Sequence, residues 1–345
     1  MQEKYSVVNK MKRYSRQMLF PPIKGEGQKK LLNSSVLVVG VGALGSSILE
    51  QLARAGIGHI IIIDRDYVEL SNLQRQTLFT EEDVKQIKPK AIAAKEKIEQ
   101  INSSIHIEAY VEHISKDNIE KFINNIDIIF DGTDNFSTRY LLNDVAYKYK
   151  IPFVYGGVVS SRGMSALFIP MKTPCFRCLM KDNYSEGQTC DTVGVINSAV
   201  NIVTSLQVTE ALKYLTNNLE DLHGSLISFD VWRNELTKIK LSKVDPQCKT
   251  CQLEQYPALN EEQMTKETIL CGRNTIQIQH HRGFDLKEWK EKLSVIADVS
   301  ETPFLLRARI REDITFVLFP NGRLLVQGTE DMIKARTLYD RYIGT

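Results

Sequence analysis

The sequence has almost no charge bias. Its 44 Lys and Arg stand against 42 Asp and Glu, a formal net charge of +2 over 345 residues. That argues against the broad basic footprint of a nucleic-acid binder and the polybasic patch of a protein held on an anionic membrane. No window holds 18 uninterrupted apolar residues, so no membrane-spanning helix is expected. The opening stretch, MQEKYSVVNKMKRYSRQ, is too polar for a secretory signal, and the expected location is the cytoplasm. Internal repeats and low-complexity tracts are lacking, and so is an evident Ser/His/Asp arrangement. Cysteine is sparse at six residues, and a reducing compartment argues against a disulfide framework. What remains is an ordinary globular composition, 43% apolar and 25% charged, on a chain long enough for about two domains.

The chain is organised around Val36 to Asp64, VLVVGVGALGSSILEQLARAGIGHIIIID. Val36 to Val39 read as a strand, Ser46 to Ala55 as an amphipathic helix stopped by Gly56 and Gly58, and Ile60 to Ile63 as a second strand. Between the first two lie Gly40, Gly42 and Gly45 in G-x-G-x-x-G spacing. This is a βαβ unit able to cradle a nucleotide phosphate at the helix N-terminus. Asp64, 19 residues after Gly45, stands where a carboxylate can accept hydrogen bonds from ribose hydroxyls. The alternative is an ordinary βα turn whose glycines serve packing alone.

Beyond the second strand runs the polar segment Ser71-Asn72-Leu73-Gln74-Arg75-Gln76, at the end of the sheet where doubly wound folds bind ligands. Lys90 opens a helical pattern through Ile101. Ile126 to Phe130 reads as a buried strand delivering Asp131-Gly132-Thr133-Asp134-Asn135 to the same mouth. Asp134 can hold Mg²⁺ there, or Asp134 or Asn135 can cap the helix that follows. Each basic residue taken singly is more often a solvated charge than a ligand; their joint placement is what points to a polyphosphate.

Four cysteines form two C-x-x-C pairs, Cys175/Cys178 and Cys248/Cys251. Two such knuckles suit a four-thiolate Zn²⁺ site with no open coordination position, hence structural. Free thiols or a redox pair are the alternatives. Cys190 stands alone in a polar loop. Gly194 to Thr216 reads as a long helix too apolar for a freely exposed surface, so central or buried against a second subunit. Domain boundaries are expected at 1–252, a linker at 253–265, and a small α+β domain at 266–345. In that tail His280-His281 are expected on opposite faces of a strand. The expected fold is α/β: a Rossmann-like doubly wound, mostly parallel sheet with an antiparallel extension and zinc knuckles, plus the small C-terminal domain.

Taken together, RYSRQ, GVGALGS, IIDRDYVELSNLQRQ, KPK before a helix, DGTDNFSTR and the two knuckles resemble the bacterial members of the ubiquitin-activating superfamily, the adenylyltransferases that activate sulfur-carrier proteins. The likeness runs from about Arg13 to Cys251 and leaves the tail outside; the tail has no rhodanese-type cysteine loop. The resemblance implies that the C-terminal Gly-Gly carboxylate of a ubiquitin-like sulfur carrier is adenylylated with ATP and Mg²⁺. It implies Gly40, Gly42, Ala43, Asp64, Ser71, Asn72 and Asn135 in nucleotide binding, with Arg75, Lys90 and Asp134 both binding and catalytic. It implies a catalytic Arg16 reaching across a homodimer to the ATP of the second copy, and Cys175, Cys178, Cys248 and Cys251 on structural zinc. Ala43 departs from the family, where many relatives have glycine. Cys190 falls where the thiazole branch places a sulfur-transfer cysteine. Partners implied are the carrier and a sulfur donor such as a cysteine desulfurase or rhodanese. The motifs lean to the carrier of molybdopterin synthase, with the thiazole-biosynthesis carrier of the thiamine pathway as the alternative. An NAD-dependent oxidoreductase would use the glycine loop and Asp64 but has no use for Arg75, Lys90 and Asp134 together; a scaffold that only docks a carrier would turn over no nucleotide.

Overall fold

The computed structural model describes residues 11–180, 193–260 and 274–344, and the backbone of Glu267–Leu270. The chain divides into two units, Met1–Glu261 and Glu262–Thr345.

The first unit begins with helices α1 (Ser15–Met18) and α2 (Lys24–Leu32). Then come β1 (Ser35–Val39), α3 (Ala43–Ala55), β2 (His59–Ile63), α4 (Glu81–Lys85), α5 (Lys90–Ile101) and β3 (His106–Tyr110). The chain continues through β4 (Ile128–Asp131), α6 (Phe136–Tyr149), β5 (Phe153–Val159), β6 (Arg162–Phe168) and α7 (Phe176–Met180). It ends with α8 (Asn197–Leu215), β7 (Ser225–Asp230), β8 (Glu235–Lys240) and α9 (Pro257–Asn260). One eight-stranded sheet runs β3-β2-β1-β4-β5-β6-β7-β8. The first five strands are parallel and the last three are joined antiparallel. The order 3-2-1-4-5 is the doubly wound one, with its switch point between β1 and β4.

Both faces of the parallel part are covered, so its strands are continuous apolar runs rather than alternating ones. Val36, Val38, Ile60 and Ile62 point to one layer, against Ile48, Leu49 and Leu52 of α3, Ala94 and Ile98 of α5, and Val200 and Val203 of α8. Leu37, Val39, Ile61 and Ile63 point to the other, against Leu142, Val145 and Ala146 of α6. The α8 helix is central, as its composition suggests: Ala199, Val203, Val208 and Ala211 are buried, while Ser198, Ile202, Ser205 and Thr209 face out.

Several boundaries differ from the sequence expectation, those of α8 and β4 by a few residues. The α3 helix starts at Ala43, so Gly45 lies in its first turn, where a Cβ would fall 1.9 Å from the Gly40 carbonyl oxygen. The β5 strand runs on through Gly156–Gly157, and at Gly156 a Cβ would overlap the side chain of Gln207 on α8. Ile119–Phe122, before β4, is a 3-10 turn.

In the second unit the order is β9 (Glu267–Leu270), β10 (Thr275–Gln279), α10 (Leu286–Ser294), β11 (Asp298–Glu301), β12 (Leu306–Arg309), β13 (Thr315–Leu318), β14 (Arg323–Gln327) and α11 (Met332–Tyr342). They form a six-stranded antiparallel sheet, β11-β12-β13-β14-β10-β9. Ile276, Phe316, Leu324, Leu338 and Tyr339 are in its core. The strands β9 and β11 escape sequence reading: both are four residues long, and β11 (DVSE) has little apolar content. His280 and His281 lie past the end of β10 rather than on opposite faces of it. Their rings are 4.3 Å apart, and His280 stacks on Phe284.

Candidate active site

The register of β1, β2 and β4 brings Val39, Ile63 and Asp131 level, so Gly40, Asp64 and Gly132 emerge side by side at the carboxyl ends of the strands. The three loop glycines have different work. Gly40 has φ +85°, a left-handed conformation, and a Cβ on it would meet the Gly132 carbonyl carbon and oxygen at 2.8 Å. Gly45 closes helix onto loop, as described above. Around Gly42 the space is open, with Gly132 O at 3.9 Å as the one neighbour of its would-be Cβ. Gly42 is the N-cap of α3 and makes no side-chain cap, so the first amides of a 13-residue helix are left to whatever enters the mouth. Ala43, half-buried, is the first helical residue; its methyl group leaves the backbone amides in place.

Asp64 holds this loop. Its Oδ2 accepts from Val41 N at 2.6 Å and its Oδ1 from Asp66 N at 2.6 Å. Burial pushes its carboxyl above the usual carboxylate range, Lys90 works against that, and Asp66 adds to it. Lys90 is almost fully buried at the first position of α5, with Nζ 3.9 Å from Asp66 Oδ2. The lysine thus lies against the acidic segment that follows β2. Tyr67 bridges to Pro89, and Val68 N donates to Lys88 O, so the segment after β2 lies along the start of α5. In that segment Asn72 is buried and forms a capping box with Glu69, Ser71 is exposed, and Arg75 Nη1 donates to Ser71 O at 2.9 Å.

The turn after β4 divides its carboxylates. Asp131 does not face the mouth. It is fully buried, accepting from Thr133 N and Oγ1 and from Arg139 Nε at 2.9 Å. Arg139 also donates to Thr133 O and Gly156 O, which ties the turn to β5. Asp134, one turn residue further, is exposed. Asn135 is the N-cap of α6: its Oδ1 accepts from Thr138 N at 2.8 Å and Ser137 Oγ at 2.9 Å. Gln207 reaches in from α8, Nε2 donating to Asp131 O at 3.1 Å, with its buried Oε1 unpartnered among the described residues. Arg139 and Gln207 escape sequence reading as members of the site. The available signals were an arginine in the turn's own motif and an amide in an otherwise apolar helix.

Arg16 is exposed on α1. Its neighbours anchor that helix. The buried Tyr14 accepts from Asn102 Nδ2 and its ring fills the place of a Cβ at Gly56, while Gln17 donates to Ala55 O. Leu19 and Phe20 beside it are exposed at 71% and 56%.

The four cysteines meet on the far side of α6. Cys175 and Cys248 sulfurs are 3.4 Å apart, Cys178 and Cys251 3.4 Å, Cys175 and Cys178 3.9 Å, and all four lie within 4.8 Å of one another. A tetrahedron of sulfurs on zinc has edges of about 3.8 Å. Around the cluster, Asp144 of α6 accepts from Thr250 Oγ1, from Ala258 N at 2.8 Å and from Arg177 Nη2 at 3.4 Å. Asn143 Oδ1 accepts from Phe176 N. One helix thus holds both knuckles and the start of α9. Cys190 lies outside the described residues.

Residues 14–250 match the model of the ThiF family. The chain belongs to the ThiF family. Over 336 residues it is 43% identical to the sulfur carrier protein ThiS adenylyltransferase of Bacillus subtilis (strain 168), a match covering 96% of this chain and 99% of that protein. It is 36% identical over 246 residues to the sulfur carrier protein adenylyltransferase of Thermus thermophilus, covering 69% of this chain and 90% of that one. It is 37% identical to adenylyltransferase and sulfurtransferase MOCS3 of Culex quinquefasciatus, covering 70% and 56%. Among solved structures, that of E. coli MccB with ATP superposes with a TM-score of 0.60 at 26% identity, covering 69% of this chain and 74% of that one. As a ThiF-family member the chain is a nucleotidyltransferase that adenylylates a sulfur carrier protein. Among the described residues no helix is long and apolar enough to cross a membrane.

Proposed function

We propose that the chain adenylylates the C-terminal Gly-Gly carboxylate of a ubiquitin-like sulfur carrier in the cytoplasm, and that this carrier is the one of thiazole biosynthesis. The observation that carries the reaction is the open space at Gly42, at the uncapped start of α3, with Asp64 and Lys90 beside it. A carboxylate oxygen of the carrier forms a bond to the α-phosphorus of ATP while the bond to the β-phosphate's bridging oxygen breaks, and pyrophosphate leaves. The nucleophile is ionised at neutral pH, so no general base is needed. The work is orientation and neutralisation of the leaving charge. The α3 amides and Ser71, Asn72, Arg75 and Lys90 hold the phosphates, and Asp64 takes the ribose. Arg75 leaves its contact with Ser71 O to do so. Asn135 orients the turn by capping α6.

An exposed carboxylate at the mouth is a donor that Mg²⁺ accepts. Asp134 would hold the ion, which supplies charge neutralisation on the phosphates. The four sulfurs, at separations bracketing those of a zinc tetrahedron, would hold a structural Zn²⁺. Arg16, exposed beside Leu19 and Phe20, reaches the nucleotide of a second copy in a homodimer. Cys190 takes part in sulfur transfer after a desulfurase or rhodanese has delivered the sulfur.

For the branch, the support is the full-length likeness to the Bacillus protein, tail included. The motifs alone lean to the molybdopterin-synthase carrier, and the likeness to MOCS3 over the shared region favours that second reading. Carrier-dependent exchange of labelled pyrophosphate into ATP, with both carriers side by side, decides between them. Exchange with the thiazole carrier alone is the expected result. Exchange with the molybdopterin carrier alone overturns the branch, and exchange with neither overturns the reaction.

A further inference from the structure

The other end of the parallel sheet carries a set of donor atoms that adenylylation does not use. His59 opens β2, His106 opens β3, and the two are direct partners in the ladder. Glu108 lies two residues along β3, so its side chain leaves on the same face as His106. The imidazole rings stack at 5.0 Å with 30° between their planes. Both Nε2 atoms face one carboxylate oxygen, Glu108 Oε1, at 2.8 Å from His59 and 3.6 Å from His106. The second distance is too long for a hydrogen bond.

We propose that His59, His106 and Glu108 form a binding site for one divalent transition-metal ion, of the zinc, nickel or cobalt kind. Two imidazoles and one carboxylate are a donor set such ions prefer. Tetrahedral coordination at ordinary bond lengths puts donor atoms roughly 3.3 Å apart, between the two separations seen here. The three ligand atoms already lie within 4.8 Å of one another, so small side-chain rotations complete the set. Two ligands have the outer partners that metal sites need. Tyr110 donates to Glu108 Oε2 at 2.6 Å, and His59 Nδ1 faces Ser35 Oγ at 3.3 Å, which leaves Nε2 for the ion. The His106 side chain is 70% exposed, so an ion and its completing waters have access.

The site lies five residues of strand, about 16 Å, from Asp64. It is therefore separate from the nucleotide mouth, and it is also separate from the cysteine cluster beside α6. Since β3 is the edge strand of the sheet, an ion here would clamp that edge strand to β2.

The test uses untagged full-length protein, as purified with its cysteine cluster left intact, titrated calorimetrically with Ni²⁺. The expected result is one Ni²⁺ per chain, with Tm raised by several degrees at saturation. His106→Ala and Glu108→Gln should each weaken binding at least tenfold while leaving the metal-free Tm nearly unchanged. Tyr110→Phe, a positioning change, should weaken it by up to about tenfold. Absence of stoichiometric Ni²⁺ binding overturns the proposal. So does binding unchanged in both His106→Ala and Glu108→Gln, as it would be if the ion sat on the His280–His281 pair. Neither result bears on the carrier reaction, which needs no ion at this end.

Discussion

Helix α6 has two ends that treat polar groups in opposite ways. At its start, Asp134 is exposed beside a glycine loop whose middle glycine faces open space. Nine and ten residues on, Asn143 and Asp144 are fully buried, and the Asp144 carboxylate accepts from a hydroxyl, an amide and a guanidinium that come from three separate stretches. The first arrangement keeps its carboxylate open to solvent and the second closes its polar groups inside the protein. Asp131 and Asp134 show the same division within one turn. Asp131 is buried and closed over by Thr133 and Arg139, while Asp134 is exposed. A carboxylate at a strand end is thus not by itself a catalytic group; what distinguishes the two is whether it is buried or open to solvent and ligand.

If that division holds, removing groups at the open end should cost activity and leave stability alone. Arg75→Ala and Asp134→Ala are expected to reduce carrier-dependent pyrophosphate exchange by about 10³-fold, with Tm within about a degree of wild type. Normal exchange in either variant would remove that residue from the site. At the closed end the reverse is expected. Stripping the cysteine cluster with a strong chelator should lower Tm sharply, because structural zinc contributes folding free energy directly. Loss of exchange at an unchanged melting profile would mean that the metal belongs to the chemistry.

The same contrast separates what could be read from the sequence from what could not. The glycine loop, Asp64, Lys90 and the paired cysteines were legible because their chemistry is local: a short spacing states which backbone must turn tightly and which side chains share a strand end. The inward turn of Asp131 was not, since it depends on Arg139 arriving from the next helix. Nor was Asp144, whose partner Thr250 is 106 residues away in the chain. The placing of His59 opposite His106 needs the parallel register of β2 and β3, which no periodicity reveals. Residues that close a site through tertiary contact are ordinary in sequence and become visible in space.

Asp144→Ala sharpens the comparison further. It leaves the Arg177 guanidinium, 11% exposed, without its carboxylate, and removes the acceptor for Thr250 and Ala258. Breaking such a pair by deleting one partner costs about 3–5 kcal/mol. Urea unfolding should show that loss, while ATP affinity of the folded variant stays at the wild-type value. A weakened ATP affinity at unchanged stability would show that the two ends of α6 are not independent.

The smallest effect is expected where the closure is partial. His223, just before β7, has Nε2 3.4 Å from Glu210 Oε2 of α8, while its Nδ1 accepts from Ser225 N. Burial holds its pKa below the usual histidine value. Glu210 opposes that, and Lys213 and Lys238 reinforce it. A depressed pKa in the folded state means that the unfolded chain binds more protons in the interval between the two values. The stabilising contribution is therefore complete above about pH 6.5 and is lost as pH falls through the folded-state pKa. Because the group is partly solvated, the loss should stay below about 1 kcal/mol. Urea midpoints of wild type and His223→Gln, compared at pH 7.5 and 5.5, isolate it. The wild type should lose more stability on acidification than the variant. A parallel fall in both would assign the acid sensitivity to other groups and leave the His223–Glu210 contact as packing without a titratable consequence.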